Sequence, residues 1–197
     1  MHIADGVLTL EATAAVSAVS IYVLYKALKE IPEEKITLTA ACSAMFFLAS
    51  FIHIPLGVTQ IHLLLVGVIG VLIGRSAFLA IAVALILQAL LLGYGGMVSV
   101  GVNLFIMAAP AWIVYELYRC AWMQNLNQKI RFFLVGFLGA FFSTVLLTAI
   151  LYFSKEEYEW AAYTIFSVNI ITMFIEGIIS MFLLLFIQKT YSNILKV

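Results

Sequence analysis

The sequence predicts an all-α membrane protein: a polytopic bundle of seven transmembrane helices that forms a single domain over residues 1–197. Two features of the composition support this prediction. Hydrophobic residues make up 65% of the chain and charged residues only 10%, whereas about a quarter of the residues are charged in soluble domains. The apolar residues form long continuous runs and do not alternate with polar ones, which is typical of spanning helices and not of a membrane β-barrel.

Charged residues, glycines and prolines mark the ends of the seven helices. The predicted segments are 8–28, 36–53, 60–74, 76–92, 101–120, 131–153 and 161–187. The stretch KEIPEEK closes the first segment, HIPLGVTQ separates the second from the third, and GYGGMVSVG separates the fourth from the fifth. Asp5 and Thr9 are expected to cap the first helix, because their side-chain oxygens can accept backbone N–H groups at its start.

The third segment is short for a membrane span. Residues 60–74 give about 22 Å of helix, against a hydrocarbon core of about 30 Å. Its entry, IPLGVTQIH, is therefore expected to run as irregular backbone that lines a cavity in the bundle, with His62 in the first helical turn. Gly67, Gly70 and Gly74 form a small-residue face that lets another helix approach closely.

The distribution of basic residues predicts the orientation of the bundle. With the amino terminus outside, nine of the ten Lys and Arg residues lie on the cytoplasmic side, and only Lys155 lies opposite. The carboxyl terminus is then cytoplasmic, as an odd number of spans requires. No basic region precedes the first apolar segment, so that segment is expected to remain in the mature protein. Met1 is expected to remain as well, because a large residue, His2, follows it and hinders removal of the methionine.

This orientation brings the three histidines of the chain, His2, His53 and His62, to the external side. A metal or proton site near the outer surface is therefore the leading hypothesis. The amine of Met1 and the peptide nitrogen and imidazole of His2 can close two fused chelate rings around one cation. Late first-row ions such as Ni²⁺ prefer such near-planar nitrogen coordination. His62 is the first candidate for the fourth position, and His53 is the second.

Three stretches carry a resemblance to a known family: MHIADG, PLGVTQIH with the following HLLLVGVIGVLIG, and QALLLGYGGMVSVGVNLFIMA. They resemble the CbiM/NikM family, the substrate-capturing membrane subunits of energy-coupling-factor transporters for cobalt and nickel. The resemblance implies that the free amino terminus folds into the bundle. It also implies that the metal is held by the amine of Met1, the amide nitrogen and imidazole of His2, and the imidazole of His62.

Other polar residues of the apolar segments bear on this site. Gln88 and Asn103 match family motifs, and either could hydrogen-bond a ligating imidazole and fix its tautomer; an interhelical bond that only stabilises packing is the alternative. Glu176, about mid-membrane, is expected to be a structural or coupling residue and not a ligand. The chain departs from the family pattern at His53, where Asn is usual, and at Tyr94, where an acidic residue is more common.

The resemblance implies that Ni²⁺ or Co²⁺ is the transported substrate, captured externally in the cell (inner) membrane, with a tie to cobalamin biosynthesis and no organic cofactor. The chain contains no GxxxxGK[ST] loop, so it is not expected to be an enzyme. Two cytoplasmic ATPase subunits, a membrane coupling subunit and a small accessory membrane subunit are the implied partners. Nitrogen ligands do not separate nickel from cobalt.

Two other functions remain open from the sequence. One is a capture subunit for another small solute such as a vitamin, and the other is a membrane electron carrier with haem held by His53 and His62. An intramembrane hydrolase is disfavoured, because no GxSxG-like element accompanies the histidines. Cys42 and Cys120 lack the spacing of a zinc or redox site, and no basic stripe suggests nucleic acid.

Overall fold

The computed structural model describes residues 2–56 and 59–191, and for residues 53–56, 59–61 and Glu156 the backbone only. The described chain is a helical bundle with one short hairpin. Its elements are α1 (Leu10–Glu30), α2 (Glu33–Ala49), β1 (His53–Leu56), β2 (Thr59–His62), α3 (Val66–Ile73), α4 (Ala77–Leu92), α5 (Val100–Arg119), α6 (Ala121–Gln124), α7 (Gln128–Tyr152) and α8 (Glu159–Thr190). Each of the seven predicted segments contains a helix.

Local sequence signals account for several helix ends. The hydroxyl of Thr9 accepts the backbone N–H of Ala12 at 3.3 Å, so the predicted cap of α1 is confirmed. Asn127 caps α7 in the same manner and accepts the N–H of Lys129 at 3.0 Å. Gly93 ends α4 with φ at +69°, a left-handed conformation that glycine adopts without a steric cost.

Helix α3 lies at the centre of the bundle, and all eight of its residues are buried. It packs between α5 and α7. A Cβ placed on Gly67 would collide with the carbonyl of Val135, and one placed on Gly70 would collide with the carbonyl of Ala111. These contacts confirm the predicted close approach at Gly67 and Gly70, but to two different helices, α7 and α5. Gly74 lies beyond the end of α3, against the Tyr115 ring.

The predicted start of the third segment is wrong. Helix α3 begins at Val66 and not at Gln60, and His62 lies in β2 instead of the first helical turn. Strands β1 and β2 pair antiparallel, with His53 opposite His62 in register. Periodicity alone cannot distinguish a four-residue apolar strand from a helical turn. The helix cannot start earlier, because Leu65 has φ at +52°, which is outside the helical region.

Four helical stretches of the described chain are long and apolar enough to cross a membrane: Val66–Leu92, Val100–Arg119, Gln128–Tyr152 and Glu159–Thr190. The first of them contains α3 and α4, between which the chain turns at Gly74, where φ is +60°. Large apolar side chains such as Phe182 and Phe186 of α8 are exposed on the outer surface, which suits a lipid environment. The number of seven spans and the orientation stay predictions.

Candidate metal centre

The amino-terminal arm, residues 2–6, lies against the bundle and is held by α5. The side chain of Asn103 pairs with the backbone of Ile3: its Oδ1 accepts the Ile3 N–H at 2.8 Å, and its Nδ2 donates to the Ile3 carbonyl at 3.0 Å. Both residues are 2% exposed. Because buried backbone groups are costly to leave unpaired, this two-point contact fixes the position of the arm.

The hydrogen bond of His2 to Gln88 determines which of its ring nitrogens can bind a cation. His2 Nε2 lies 3.0 Å from Gln88 Oε1, and Gln88 is completely buried in α4. An amide oxygen only accepts, so Nε2 carries the proton and the lone pair is on Nδ1. Nδ1 is the nitrogen that can share a chelate ring with the His2 peptide nitrogen. Burial lowers the pKa of His2 to about 3, so its imidazole is neutral at physiological pH.

The second histidine comes from the hairpin arm, residues 62–65, which joins β2 to α3. His62 is 8% exposed, and its Nδ1 lies 3.2 Å from the carbonyl oxygen of Leu63. Nδ1 therefore donates, and the lone pair that a cation would accept lies on Nε2. The ring centroids of His2 and His62 are 5.2 Å apart. Since metal–nitrogen bonds are about 2 Å long, one cation can bind a nitrogen of each ring.

The loop between α4 and α5 forms one wall of this site. The Tyr94 ring centroid lies 5.9 Å from that of His2. A Cβ on Gly95, where φ is +76°, would lie 2.6 Å from Asn103 Nδ2 and 3.2 Å from His2 Cβ. In the sequence, GYGG indicated a helix break and belonged to a stretch that resembles the family, but this contact was not predicted. Closely spaced glycines were the available signal, since they also mark a close approach of backbone.

The predicted role of Asp5 as a cap of α1 is wrong. Its carboxylate instead accepts the backbone N–H groups of Ser99 at 2.8 Å and Val98 at 3.3 Å, just before α5. Burial alone would raise the pKa of Asp5, but the hydrogen bonds from Ser99 and Val98 hold it below its usual value. A Cβ on Gly96 would collide with this carboxylate. Asp5 therefore ties the amino-terminal arm to the loop, and no local pattern distinguishes that partner from the nearer helix.

Glu176 contacts the hairpin arm from α8. It is 1% exposed, and its carboxylate accepts the backbone N–H groups of Leu64 and Leu65; the Leu65 nitrogen lies 3.1 Å from Oε2. The sequence indicated a buried acid that requires a partner, but the partners are backbone groups more than a hundred residues away. No sequence pattern encodes such a pairing.

The structure thus brings His2, His62 and Gln88 together, with Asn103 beside them. Met1 lies outside the described residues. His53 is described by its backbone alone, which pairs with that of His62 across the hairpin. Among the side chains that the structure describes, no three from His, Cys, Asp or Glu gather around a common point.

The opposite end of α5 is surrounded by basic residues. Lys35, Arg75 and Arg119 line one cleft there together with Glu30, and Arg75 lies 3.6 Å from Glu30. Asn103 is near the start of α5, whereas Arg119 is its last residue. The candidate site and this cluster of basic residues are therefore at opposite ends of the bundle.

Comparison with known proteins identifies the family of the chain. The family model described as "Cobalt uptake substrate-specific transmembrane region", CbiM, matches residues 2–194. A provisionally named metal transport protein of Haemophilus influenzae is 30% identical over 203 residues, which cover 99% of this chain and 97% of that protein. The cobalt transport protein CbiM 2 of Pelobacter propionicus is 32% identical over 148 residues, 71% of this chain and 66% of that protein.

A solved structure described as a transition metal transporter shares the fold. It superimposes with a TM-score of 0.81 at 24% identity and covers 96% of this chain and 93% of that chain. The family match over nearly the whole sequence, the apolar helices and the shared fold lead to one conclusion. The chain is an integral membrane protein that belongs to the CbiM family, a transport component of multi-subunit cobalt transporters.

Proposed function

We propose that this chain captures Ni²⁺ or Co²⁺ at the external side of the cell membrane and delivers the ion for ATP-driven uptake, as the substrate-specificity subunit of an energy-coupling-factor transporter. The observation that carries the proposal is the convergence of two imidazoles from distant segments. The hydrogen bonds of His2 and His62 leave their lone pairs on Nδ1 and Nε2, and the ring centroids are 5.2 Å apart.

The proposed ligands are the amine of Met1, the peptide nitrogen and Nδ1 of His2, and Nε2 of His62. Four nitrogens around a plane suit late first-row ions such as Ni²⁺. Gln88 and Asn103 support this set: Gln88 fixes the His2 tautomer, and Asn103 holds the backbone of the following residue. Such supporting hydrogen bonds orient metal ligands and raise their basicity. His53 is the second candidate for the fourth position.

The proposed orientation places the site outside. Lys35, Arg75 and Arg119 lie at the end of the bundle opposite the site, and basic residues favour the cytoplasmic side. ATP hydrolysis is assigned to two cytoplasmic ATPase partners, coupled through a second membrane subunit and a small accessory membrane subunit. The chain itself carries no phosphate-binding GxxxxGK[ST] loop that would serve this step.

The test is to purify the chain in detergent with Ni²⁺ and measure bound metal before and after three residues are added ahead of Met1. The extension converts the amine of Met1 into an amide and leaves the new terminal amine too far from His2 to share its chelate rings, so bound nickel should fall to the level of the His2→Ala variant. The same three residues added at the carboxyl end are the control and should leave bound nickel unchanged. Retention of nickel by the extended chain, with loss in His53→Ala and His62→Ala, would instead indicate a site made of two imidazoles.

A further inference from the structure

We infer that Glu176 is the positioning residue for His62: its carboxylate holds the hairpin arm in the one conformation that presents Nε2 to the cation. This inference rests on the proposed function, and it assigns to Glu176 a role in substrate affinity that the buried position alone does not require. Glu176 does not contact the imidazole. It acts through the backbone of Leu64 and Leu65, the second and third residues after His62.

The hairpin arm needs such a partner because the N–H groups of its backbone lack hydrogen-bond acceptors within the arm itself. Leu64 and Leu65 are 0% and 6% exposed, and they precede the first turn of α3, where N–H groups have no partner within a helix. Leu65 also has φ at +52°, the one positive value at a non-glycine residue among the described residues. A leucine occupies this region only when its surroundings stabilise it.

The carboxylate of Glu176 pairs the buried N–H groups and stabilises the left-handed conformation of Leu65 at the same time. One oxygen accepts the N–H of Leu64, and the other accepts that of Leu65 at 3.1 Å. The carboxyl group also lies at the start of α3, where the helix dipole is positive and favours an acceptor. The two backbone donors reduce the cost of burying this polar group inside the bundle.

The backbone that carries Glu176 packs closely against α7. A Cβ placed on Gly136 of α7 would collide with the carbonyl of Glu176, and one placed on Gly177 would lie 2.5 Å from the Phe133 ring. Helices α7 and α8 therefore approach too closely at this level for a side chain at either glycine. The Glu176 side chain extends from this closely packed backbone to the arm that carries His62.

The same face of α8 supplies a matched control. Thr172 lies one turn before Glu176 and is 1% exposed, and its hydroxyl has no hydrogen-bond partner among the described residues. Thr172→Val keeps the shape of this side chain and removes no contact of the hairpin arm. The variant therefore shows how much Ni²⁺ affinity changes when a buried polar residue of α8 is replaced without any effect on the hairpin arm.

The experiment measures the Ni²⁺ affinity of the purified full chain by competition with a chelator, together with the visible absorption of bound Ni²⁺. Glu176→Ala is expected to weaken binding by about 10–100-fold and to shift the absorption band, because His62 no longer sits in the ligand plane. Glu176→Gln retains one acceptor oxygen and should recover part of the affinity. Thr172→Val should stay within about twofold of the unmodified chain.

A double-mutant cycle separates positioning from general stability. If Glu176 acts only through His62, then Glu176→Ala in a His62→Ala background should add less than about a twofold further loss. An additive loss, or unmodified affinity in Glu176→Ala, would overturn the inference. Should Glu176→Ala fail to elute as a folded species from size exclusion, Glu176→Gln replaces it in the same cycle with the same expected pattern.

Failure of this inference is distinguishable from failure of the proposed function. If the unmodified chain does not bind Ni²⁺, or if His2→Ala binds it equally well, the proposed function is wrong whatever the Glu176 variants show. If binding depends on His2 and His62 but is unaffected by Glu176→Ala and Glu176→Gln, only the positioning role is wrong.

Discussion

The two arms that carry the imidazoles are anchored in different ways. The amino-terminal arm is held by amide side chains of the bundle, Asn103 on the Ile3 backbone and Gln88 on the His2 ring, while its own Asp5 ties it to the loop before α5. The hairpin arm is held by a buried carboxylate, Glu176, which accepts backbone N–H groups. The anchors of the first arm are on α4 and α5, and the anchor of the second is on α8. A cation bound by both arms would therefore join two parts of the bundle.

The two arms also differ in how many of their ends are joined to the bundle by the chain. The hairpin arm is continuous with β2 on one side and with α3 on the other, so losing one hydrogen bond leaves it tethered at both ends. The amino-terminal arm depends on its hydrogen bonds to a greater extent, because α1 constrains only one of its ends. We therefore expect perturbations of the amino-terminal arm to have the larger effects on metal affinity.

The largest expected effect on the amino-terminal arm is that of pH. The amine of Met1 and the peptide nitrogen of His2 must release protons to bind a metal, so affinity should fall by about tenfold per pH unit for each proton released. The His2 imidazole contributes little between pH 8 and pH 5, because its pKa is already lowered to about 3. Chelator competition with Ni²⁺ across this range measures the slope, and a flat profile contradicts the nitrogen chelate.

Removal of the Asn103 amide is expected to have the next largest effect on Ni²⁺ affinity. Asn103→Leu keeps the size of the side chain but leaves the N–H and carbonyl of Ile3 buried without partners, at about 1–3 kcal/mol for each group. We expect about a hundredfold loss of Ni²⁺ affinity with the helix content unchanged. Asn169→Leu is the control, because Asn169 Nδ2 donates only to the carbonyl of Ile165 in its own helix. Equal affinities in the two variants would show that the clamp on Ile3 is irrelevant.

A glycine pair tests how closely the loop must approach the amino-terminal arm. Gly95→Ala places a methyl group 2.6 Å from Asn103 Nδ2, whereas Gly93→Ala places one in open space at a similar φ, +69° against +76°. Both variants carry the cost of a left-handed alanine, about 1–2 kcal/mol, and should melt at similarly lowered temperatures. Only Gly95→Ala should lose affinity for Ni²⁺, by about 30-fold. A parallel loss in Gly93→Ala would assign the effect to the backbone alone.

The smallest expected effect concerns the tautomer of His2. Gln88→Leu removes the acceptor for Nε2–H and leaves the ring free to protonate on either nitrogen, so affinity for Ni²⁺ should fall by about tenfold. Gln88→Glu restores an acceptor at the same position and should bind at least as well as the unmodified chain. Isotope-edited NMR of labelled histidine reports the tautomer directly. A His2 ring protonated on Nδ1 in the metal-free protein would be inconsistent with the proposed geometry.

The grouping of site residues followed from topology that the sequence could predict. Helical segments separated by clear breaks, with basic residues concentrated on one side, are sufficient to place His2 and His62 near one end. The start of α3 could not be predicted, because the residues TQIH suit a strand and a helical turn equally well. The hairpin is the more stable structure here, because its two strands pair backbone groups that an irregular buried segment would leave unpaired.

Long-range partners were the other feature that the sequence could not provide. Asp5 and Glu176 are both acidic residues whose partners are backbone N–H groups far along the chain. A backbone donor looks the same at every residue, so no pattern in the sequence marks it. The cap at Thr9 could be predicted because its partner is three residues away, and the role of Asp5 was missed because the same local logic does not apply to it.

The central claim is that one cation is bound by nitrogens of both arms, and X-ray absorption spectroscopy of the nickel-loaded chain tests it most directly. The account predicts four nitrogen neighbours at one short distance in a near-planar arrangement, with the multiple-scattering signature of two imidazoles that is reduced to one in His62→Ala. A six-coordinate spectrum dominated by oxygen neighbours, or one unaltered in His62→Ala, would contradict it.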